Sequence, residues 1–383
     1  MGRYGDGIGM GSDLMQAAET AVAQALAPLG GRVPDLALVF VSGDAGELAE
    51  AGERACALTG AAATLGCSAG GVIGGGQAVE GASGVSVWVG VLPGVSVRTF
   101  HLEVMPADGA AAVIGLPERE PTTDEVAVLL ADPHSFPVDG FVSRAASALV
   151  GLPFVGGVAH GGAGAGSTRL WVDGRTVSRG AVGVLIEGAS ARPLVSQGCR
   201  PVGPAMTVTE SHGNVIRSLA GVPAREKVRQ VLAELSPPDQ ALASTGLHVG
   251  IAADEYPEDH DYLVRAILGT EPGTEGLLVG ERVQVGQTVR LQVRDADAAD
   301  QDLRATLARC PGQPGAGALL FSCDGRGAQL FGPSYGGAAH DADVVRSTLA
   351  ADAVAGFFAD GEIGPVAGRS HLHSLTASVL VFP

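Results

Sequence analysis

The chain has 383 residues, of which 46% are hydrophobic, and this is enough for one large core or two medium-sized ones. Its formal net charge is −17 and Lys227 is the only lysine, so there is no basic stripe that could neutralise nucleic-acid phosphates. The most apolar window, residues 147–166, contains seven glycines and would make a poor membrane-spanning helix. Composition therefore argues against nucleic acid as a partner and predicts a soluble chain without membrane insertion.

The first residues and the cysteines both predict a cytoplasmic protein. The opening MGRYGDGIGMGSD has no apolar segment of signal-peptide length and no acylation pattern. The cysteines are few, odd in number and widely spaced, which is typical of reduced thiols rather than a disulfide framework. They are Cys56, Cys67, Cys199, Cys310 and Cys323.

In chain order, the first predicted element is a helix that Ser12 caps and that runs to about Leu26. Three stretches follow with the same order of parts, namely a strand, a helix, a strand that ends in glycines, and one or two further strands. They begin at Asp35, Val126 and Gly317. If they are structural copies, the glycine turns lie at equivalent corners and form one shared cleft. The alternative left open is that this alternation is common in α/β proteins and that a glycine-rich composition inflates the matches.

Further helices are predicted between the second and third stretches. One begins at Pro223 and is stopped by Pro237 and Pro238, and another follows Asp297 and ends at Pro311. The predicted fold class is mixed α/β (α+β), with repeated strand-helix-strand-strand units that form mixed sheets with flanking helices in two closely packed lobes.

Several blocks resemble the FIST family, whose members carry a FIST N and a FIST C part. In family order these blocks are DLALVFVS, LGCSAGGVIG, SQGCRPVG, YLVRAILG, GALLFSCDGRG, GFFADGEIGPV and HLHSLTASVLVF. The resemblance covers nearly the whole chain from about Asp35, and it implies an intracellular sensory, ligand-binding module. It predicts an N-terminal segment and helix at residues 1–31, a FIST N-like domain at 32–222 and a FIST C-like domain at 223–383.

Cys323 stands where an apolar strand gives way to the turn DGRG, so its thiol could face a cleft, and Arg326 could favour the thiolate. The alternative is a half-buried cysteine that acts as a small apolar residue. Cys67 and Cys199 also lie in Gly-Cys turns, and convergence of the three thiols would permit soft-metal or haem-iron ligation. Some FIST relatives are regarded as haem-linked gas sensors, and this resemblance makes His373, His371 or His160 candidate iron ligands.

Arg265 is a charge inside an apolar strand pattern and therefore needs an anionic partner. That partner is either a ligand carboxylate or a buried structural carboxylate such as Glu362 or Asp295. An arginine, a glutamate and a hydroxyl such as Ser68 near glycine-rich backbone would suit an amino-acid-like zwitterion. Glu362 also follows Asp360 closely, and two carboxylates could divide acid and base roles.

Other catalytic signatures are missing from the sequence. It has no Gly-x-Ser-x-Gly elbow before a helix, no P-loop and no Rossmann fingerprint after a strand. An acidic run at residues 254–261 could bind a divalent cation, although it lacks EF-hand spacing, and the alternative is a solvated loop.

The sequence thus predicts a sensory small-molecule-binding protein of signal transduction, with a polar metabolite such as an amino acid as ligand and a separate downstream signalling protein as partner. The predicted ligand-binding residues are Cys67, Ser68, Arg265, Cys323, Arg326, Glu362 and His373. The alternatives are a haem or redox sensor and an enzyme that uses Cys323 with His373 as base. A homo-oligomer is compatible with the many potential edge strands.

Overall fold

A computed structural model describes residues 2–107, 110–162, 164–253, 262–310 and 315–383. The chain forms two compact units. The first contains Met1–Ser196, Leu303–Leu372 and Thr376–Pro383, and the second contains Gln197–Asp302 and His373–Leu375. The second unit is thus inserted into the sequence of the first. This division differs from a linear boundary near Val222.

The described residues contain the following strands, in chain order: β1 Arg3–Met10, β2 Leu36–Ser42, β3 Ala63–Ser68, β4 Gly71–Gly74, β5 Gln77–Glu80, β6 Gly84–Val91, β7 Ser96–Ala107, β8 Ala110–Ile114, β9 Glu125–Ala131, β10 Phe154–Val158, β11 Leu170–Val172, β12 Arg175–Val177, β13 Ala181–Glu187, β14 Arg192–Gln197, β15 Cys199–His212, β16 Val215–Leu219, β17 Val222–Pro223, β18 Leu247–Ala252, β19 Tyr262–Thr270, β20 Leu277–Val279, β21 Thr288–Arg294, β22 Gly317–Cys323, β23 Ala353–Ala359, β24 Glu362–Val366, β25 Arg369–His373 and β26 Thr376–Phe382. The α-helices are α1 Leu14–Leu26, α2 Leu48–Thr59, α3 Val138–Ala148, α4 Ala224–Glu234, α5 Pro237–Thr245, α6 Ala296–Ala308 and α7 His340–Leu349. No helix in the described ranges has the length and apolar character needed to cross a membrane.

The first unit is built from three copies of one motif, and the predicted mixed α/β class with repeated units is confirmed. In each copy two parallel strands flank a helix, and an antiparallel strand from the end of the copy lies beside the first of them. The three sheets have the strand orders β1-β6-β2-β3-β11-β12, β25-β24-β10-β9-β13-β7-β8 and β14-β26-β22-β23-β4-β5.

Each copy gives its hairpin to the sheet of another copy. The β4–β5 hairpin of the first copy pairs with β23 of the third, the β11–β12 hairpin of the second pairs with β3 of the first, and the β24–β25 hairpin of the third pairs with β10 of the second. The exchange is therefore cyclic, and no copy completes its sheet alone. In the core that the sheets share, the rings of Phe40 and Phe357 stack, and the ring of Phe321 contacts both of them edge to face.

The second parallel strand of each copy contains a glycine that lies against a carbonyl of the first strand. A Cβ added at any of these glycines would lie only 1.7–2.2 Å from that carbonyl oxygen. The pairs are Gly66 with Val39, Gly156 with Leu129 and Gly356 with Leu320, and each pair is also a register pair in its sheet. Only glycine permits this close approach of two backbones.

We expect Gly356→Ala to destabilise the protein by at least about 2 kcal/mol, because the new methyl group would overlap a backbone oxygen that cannot move away freely. Urea unfolding monitored by circular dichroism measures the difference. Gly332→Ala is the matched control, since a Cβ there meets nothing within 4 Å and its φ of −67° suits alanine. Equal stability of both variants would show that the close approach is not a constraint.

The second unit is mostly strands that pair in a closed ring in the order β15, β21, β18, β19, β20 and β16, with β16 returning to β15. The ring closes because β15 pairs with β21 in its first half and with β16 in its second half. The buried side chains of this unit, including Val249 and Leu291, form one apolar cluster.

Several predicted helix boundaries need correction. Asp13, rather than Ser12, caps α1, because its carboxylate accepts hydrogen bonds from the Met15 and Gln16 amides. Pro237 and Pro238 do end the helix before them, but they also occupy the first turn of α5, where proline is tolerated because its missing N–H has no partner in a helix. Strand β1 was not predicted, since its three glycines hide its apolar alternation. The predicted helix end at Pro311 lies outside the described residues.

Candidate functional site

The ends of the second parallel strands of all three copies meet at one corner of the first unit. The His160 amide donates to the Ser68 carbonyl (3.0 Å), and the Asp360 amide donates to the Val158 carbonyl (3.1 Å). Polar side chains from different copies thereby come together, as the hypothesis of equivalent glycine corners requires. We call Cys323, Asp324, His160, Asp360 and Glu362 the corner cluster.

The open side of the corner cluster is a histidine-carboxylate pair. His160 Nδ1 lies 3.0 Å from Asp360 Oδ1, and the two side chains are 50% and 31% exposed. Burial raises the pKa of Asp360, while the hydrogen bond from His160 partly offsets the rise. Asp324 and His134, both exposed, lie close enough to affect the same carboxyl group. The cluster therefore has a polar side that solvent reaches.

Glu362 is the buried member of the cluster, with no exposed surface. Its Oε2 accepts hydrogen bonds from the Thr376 amide (3.0 Å) and hydroxyl (2.8 Å), whereas its Oε1 has no donor among the described residues. Burial raises the pKa of Glu362 to about 8, although Thr376 and the nearby Cys323 thiol partly offset this rise. At neutral pH the group is thus largely a neutral carboxylic acid.

Cys323 is 5% exposed, so the hypothesis of an exposed, modifiable thiol is wrong for this conformation. Its Sγ lies 3.4 Å from Asp324 Oδ1 and accepts from the Gly325 amide at 3.4 Å. The Arg326 guanidinium, which was expected to act on this thiol, instead binds the carboxylate of Asp341.

Arg326 is fully buried in a structural ion pair with Asp341. Its Nε and one terminal nitrogen bind the two carboxylate oxygens at 2.8 and 2.9 Å, Ser322 donates to the same carboxylate at 2.7 Å, and His340 Nδ1 lies 3.0 Å away. Although burial alone would raise it, these charges and hydrogen bonds hold the pKa of Asp341 below its usual range. This guanidinium fixes the turn after β22 to α7.

We expect Arg326→Met to destabilise the protein by about 3–5 kcal/mol, because it leaves a buried carboxylate without its cation. The measurement is the free energy of unfolding in urea at pH 7. Arg54→Met serves as control, since its pair with Glu19 is about half exposed and is worth at most about 1 kcal/mol. A loss no larger than that of the control would contradict the structural role of Arg326.

Cys67 and Ser68 are buried residues that support the corner where the copies meet. The Ser68 hydroxyl donates to the His160 carbonyl (2.8 Å) and accepts from the Arg169 amide (3.0 Å), so its hydrogen-bonding groups already tie two copies together. Cys67 is fully buried, and burial, together with the Asp360 charge, raises the pKa of its thiol well above the usual value. Both residues lie at the predicted corner in supporting positions.

Arg265, Cys199 and His373 belong to the second unit. Arg265 Nε lies 2.5 Å from Glu281 Oε2, so the carboxylate partner is neither Glu362 nor Asp295. Asp295 instead binds Arg200 Nε at 2.6 Å. The sequence could not identify Glu281, because it lies beyond a hairpin that brings it back beside β19. His373 is buried at the end of β25.

Two members of this site were not singled out from the sequence, namely Asp324 and Thr376. Both directly adjoin strand ends, and Asp324 follows Cys323 at the junction of β22 and its turn, which is the signal that could have identified it. Among the described residues, no group of three or more His, Cys, Asp or Glu side chains is arranged to hold a metal ion. The acidic run at 254–261 lies outside the described residues.

Comparisons with known proteins agree with the predicted resemblance and confirm it. The family model described as FIST N domain matches residues 35–222, and the one described as FIST C domain matches residues 224–365. FIST domains are generally sensory, ligand-binding modules of signal transduction, which defines the class of this protein. The chain belongs to the FIST family.

Two relatives match over almost their full lengths. The chain is 39% identical over 390 residues to "Uncharacterized protein Rv0628c" of Mycobacterium tuberculosis (strain H37Rv), with 99% of each chain covered. It is 39% identical over 388 residues to "Uncharacterized protein Mb0898c" of Mycobacterium bovis, with 99% of this chain and 98% of the relative covered. The similarity to these relatives therefore extends over both FIST parts of the chain.

Proposed function

We propose that this protein is an intracellular sensor whose corner cluster binds the protonated amino group of a small polar metabolite, with amino acids as the first class to test. The observation that carries the proposal is the Oε1 atom of Glu362, a buried carboxyl oxygen without a hydrogen-bond donor among the described residues. Buried polar atoms are nearly always satisfied, so an unsatisfied one at a strand-end corner is a candidate ligand contact.

The charges at the corner favour a cationic group. Glu362, Asp360 and Asp324 come from the same end of the third copy, and Asp324 lies close enough for its charge to act on both of the other carboxyl groups. The imidazoles of His134 and His160, both exposed, lie on the side where the carboxylate of an amino acid could be held. This arrangement gives the opposite charges that a zwitterion needs at a short separation.

Binding and protonation are coupled in this proposal. Burial without a cation disfavours the carboxylate, so Glu362 keeps its proton up to about pH 8. An ammonium group supplies that cation, so ligand binding would release the proton. The change in charge at the junction of three copies is the event that the sensor would pass to a separate downstream signalling protein.

The pKa of Glu362 predicts a pH dependence of stability. Its folded value of about 8 exceeds the ordinary value, so its contribution to stability is complete below about pH 4.5 and is lost as pH rises to about 8. The loss is about 1.4 kcal/mol per pH unit within this window. Glu362→Gln, which is always neutral, should lack this loss. Urea unfolding of both proteins at pH 5, 6.5 and 8 tests it, and parallel curves would contradict a buried acid.

The ligand is tested by calorimetry with amino acids, and with methylammonium and acetate as separate amine and carboxylate probes. We expect an amine-bearing ligand to bind wild type with a heat that depends on the ionisation enthalpy of the buffer, because a proton is released. Glu362→Gln should weaken binding about 10- to 100-fold, since a charged hydrogen-bond partner is lost.

Glu187→Gln is the matched control, because this partly buried carboxylate of β13 pairs with Arg98 away from the corner and its loss should leave affinity unchanged. Failure of methylammonium and of every amino acid to bind, or unchanged affinity in Glu362→Gln, would overturn the proposal.

A further inference from the structure

The three exchanged hairpins have equivalent turns. Their two central residues all have positive φ, the geometry of a type I′ turn, with angles of 49° and 71°, 49° and 74°, and 55° and 74°. The residue pairs are Asp173 and Gly174 in β11–β12, Ala367 and Gly368 in β24–β25, and Gly75 and Gly76 in β4–β5. The β11–β12 and β24–β25 turns also have similar sequences, VDGRT and VAGRS, which place Arg175 and Arg369 at equivalent positions.

Each turn lies beside the start of the second parallel strand of the neighbouring sheet. At each of these places, which we call the turn corners, a side-chain oxygen accepts a hydrogen bond from a backbone amide. In two corners that oxygen is a carboxylate: Asp173 accepts from Thr64, and Asp6 accepts from Gly75 (2.7 Å) and from the backbone of Val354. Asp6 also binds Arg346 at 2.6 Å.

The third corner departs from the other two. Here the Ser370 hydroxyl accepts from the Phe154 amide at 2.8 Å, and alanine stands at position 367 where the equivalent turn has Asp173. The group that accepts from the strand therefore changes from a carboxylate to a hydroxyl at this corner. Arg369 beside it is left without an ion pair among the described residues.

The same corner opens into a cleft of about 240 Å³ between the end of α3 and the β24–β25 turn. Its walls are mainly apolar, and they include Leu149, Leu152, Pro153, Pro193 and Pro365. No carboxylate belongs to the described lining, which is unusual in a chain with a net charge of −17. Arg369 and Ser370 provide its polar side.

Ser370 supplies a second donor. It is 6% exposed, and although its oxygen accepts from Phe154, its hydroxyl proton has no acceptor among the described residues. A buried hydroxyl proton and a neighbouring guanidinium are the donors that a carboxylate binds, with the guanidinium able to bind it through two nitrogens.

We propose that this cleft is a binding site for a small carboxylate with an apolar body, distinct from the corner cluster. The ligand's carboxylate would pair with Arg369, as the Asp6 carboxylate pairs with Arg346 at another corner. The volume sets the size, because an engineered apolar cavity of about 150 Å³ accommodates benzene. A cleft of about 240 Å³ has room for a benzene ring that carries a carboxylate.

Calorimetry with benzoate, phenylacetate and 3-methylbutanoate tests the site, with benzyl alcohol as the uncharged probe. We expect wild type to bind a carboxylate at least about tenfold more tightly than benzyl alcohol, and Arg369→Gln to lose about 10- to 100-fold in affinity. Arg175→Gln makes the same change at the equivalent turn, which does not line the cleft, and should leave binding unchanged.

Ala367→Asp restores the carboxylate of the equivalent turn and should abolish binding while keeping the fold, since aspartate tolerates the φ of 49° at this position better than alanine. Carboxylates that bind no better than benzyl alcohol, or an Ala367→Asp protein that binds like wild type, would overturn the proposal. Glu362→Gln should not change benzoate binding, so failure here and failure of the amine site are distinguishable.

Discussion

The hydrogen-bonded exchange of hairpins is the constraint on which the first unit depends. No copy can pair both sides of its second parallel strand until a hairpin from another copy arrives, so the three sheets are completed together or not at all. The exchange also explains why residues near both ends of the chain belong to one unit. Since backbone groups of buried strands must be paired, the cyclic arrangement couples the three copies more strongly than apolar contact alone would.

The sequence predicted the repeated motif because its signals are local. Apolar runs, helical spacing and glycine turns recur in the same order, and β2, β9 and β22 lie where these patterns place them. It could not predict which sheet each hairpin joins, because an edge strand carries no local signal for its partner. Likewise β1 was hidden by its glycines, and the two prolines that end α4 gave no indication that they begin α5.

The same distinction holds for the candidate site. Cys323, Glu362 and Asp360 could be predicted as corner residues because each adjoins a glycine turn at the end of an apolar strand. Their electrostatic roles could not, since these depend on distant partners. Sequence proximity placed Arg326 beside the Cys323 thiol, but Arg326 binds Asp341 of α7. Arg265 binds Glu281, which a hairpin brings back beside β19. Charge pairing in a buried site is a tertiary property.

Functional asymmetry arises where equivalent positions of the copies differ. The strand-end corner combines Ser68, His160 and Asp360 from three copies, and only the last two have side chains that reach solvent. At the opposite ends of these strands, two corners are closed by aspartate and one is left with Ser370 and an arginine. Because the repeated backbone already fixes the position of each corner, one or two substitutions can change its charge without disturbing the sheets. A framework of three copies with such local differences can thus carry an acidic corner and a cationic cleft around one core. In a single unrepeated sheet, each of these two sites would need its own backbone geometry.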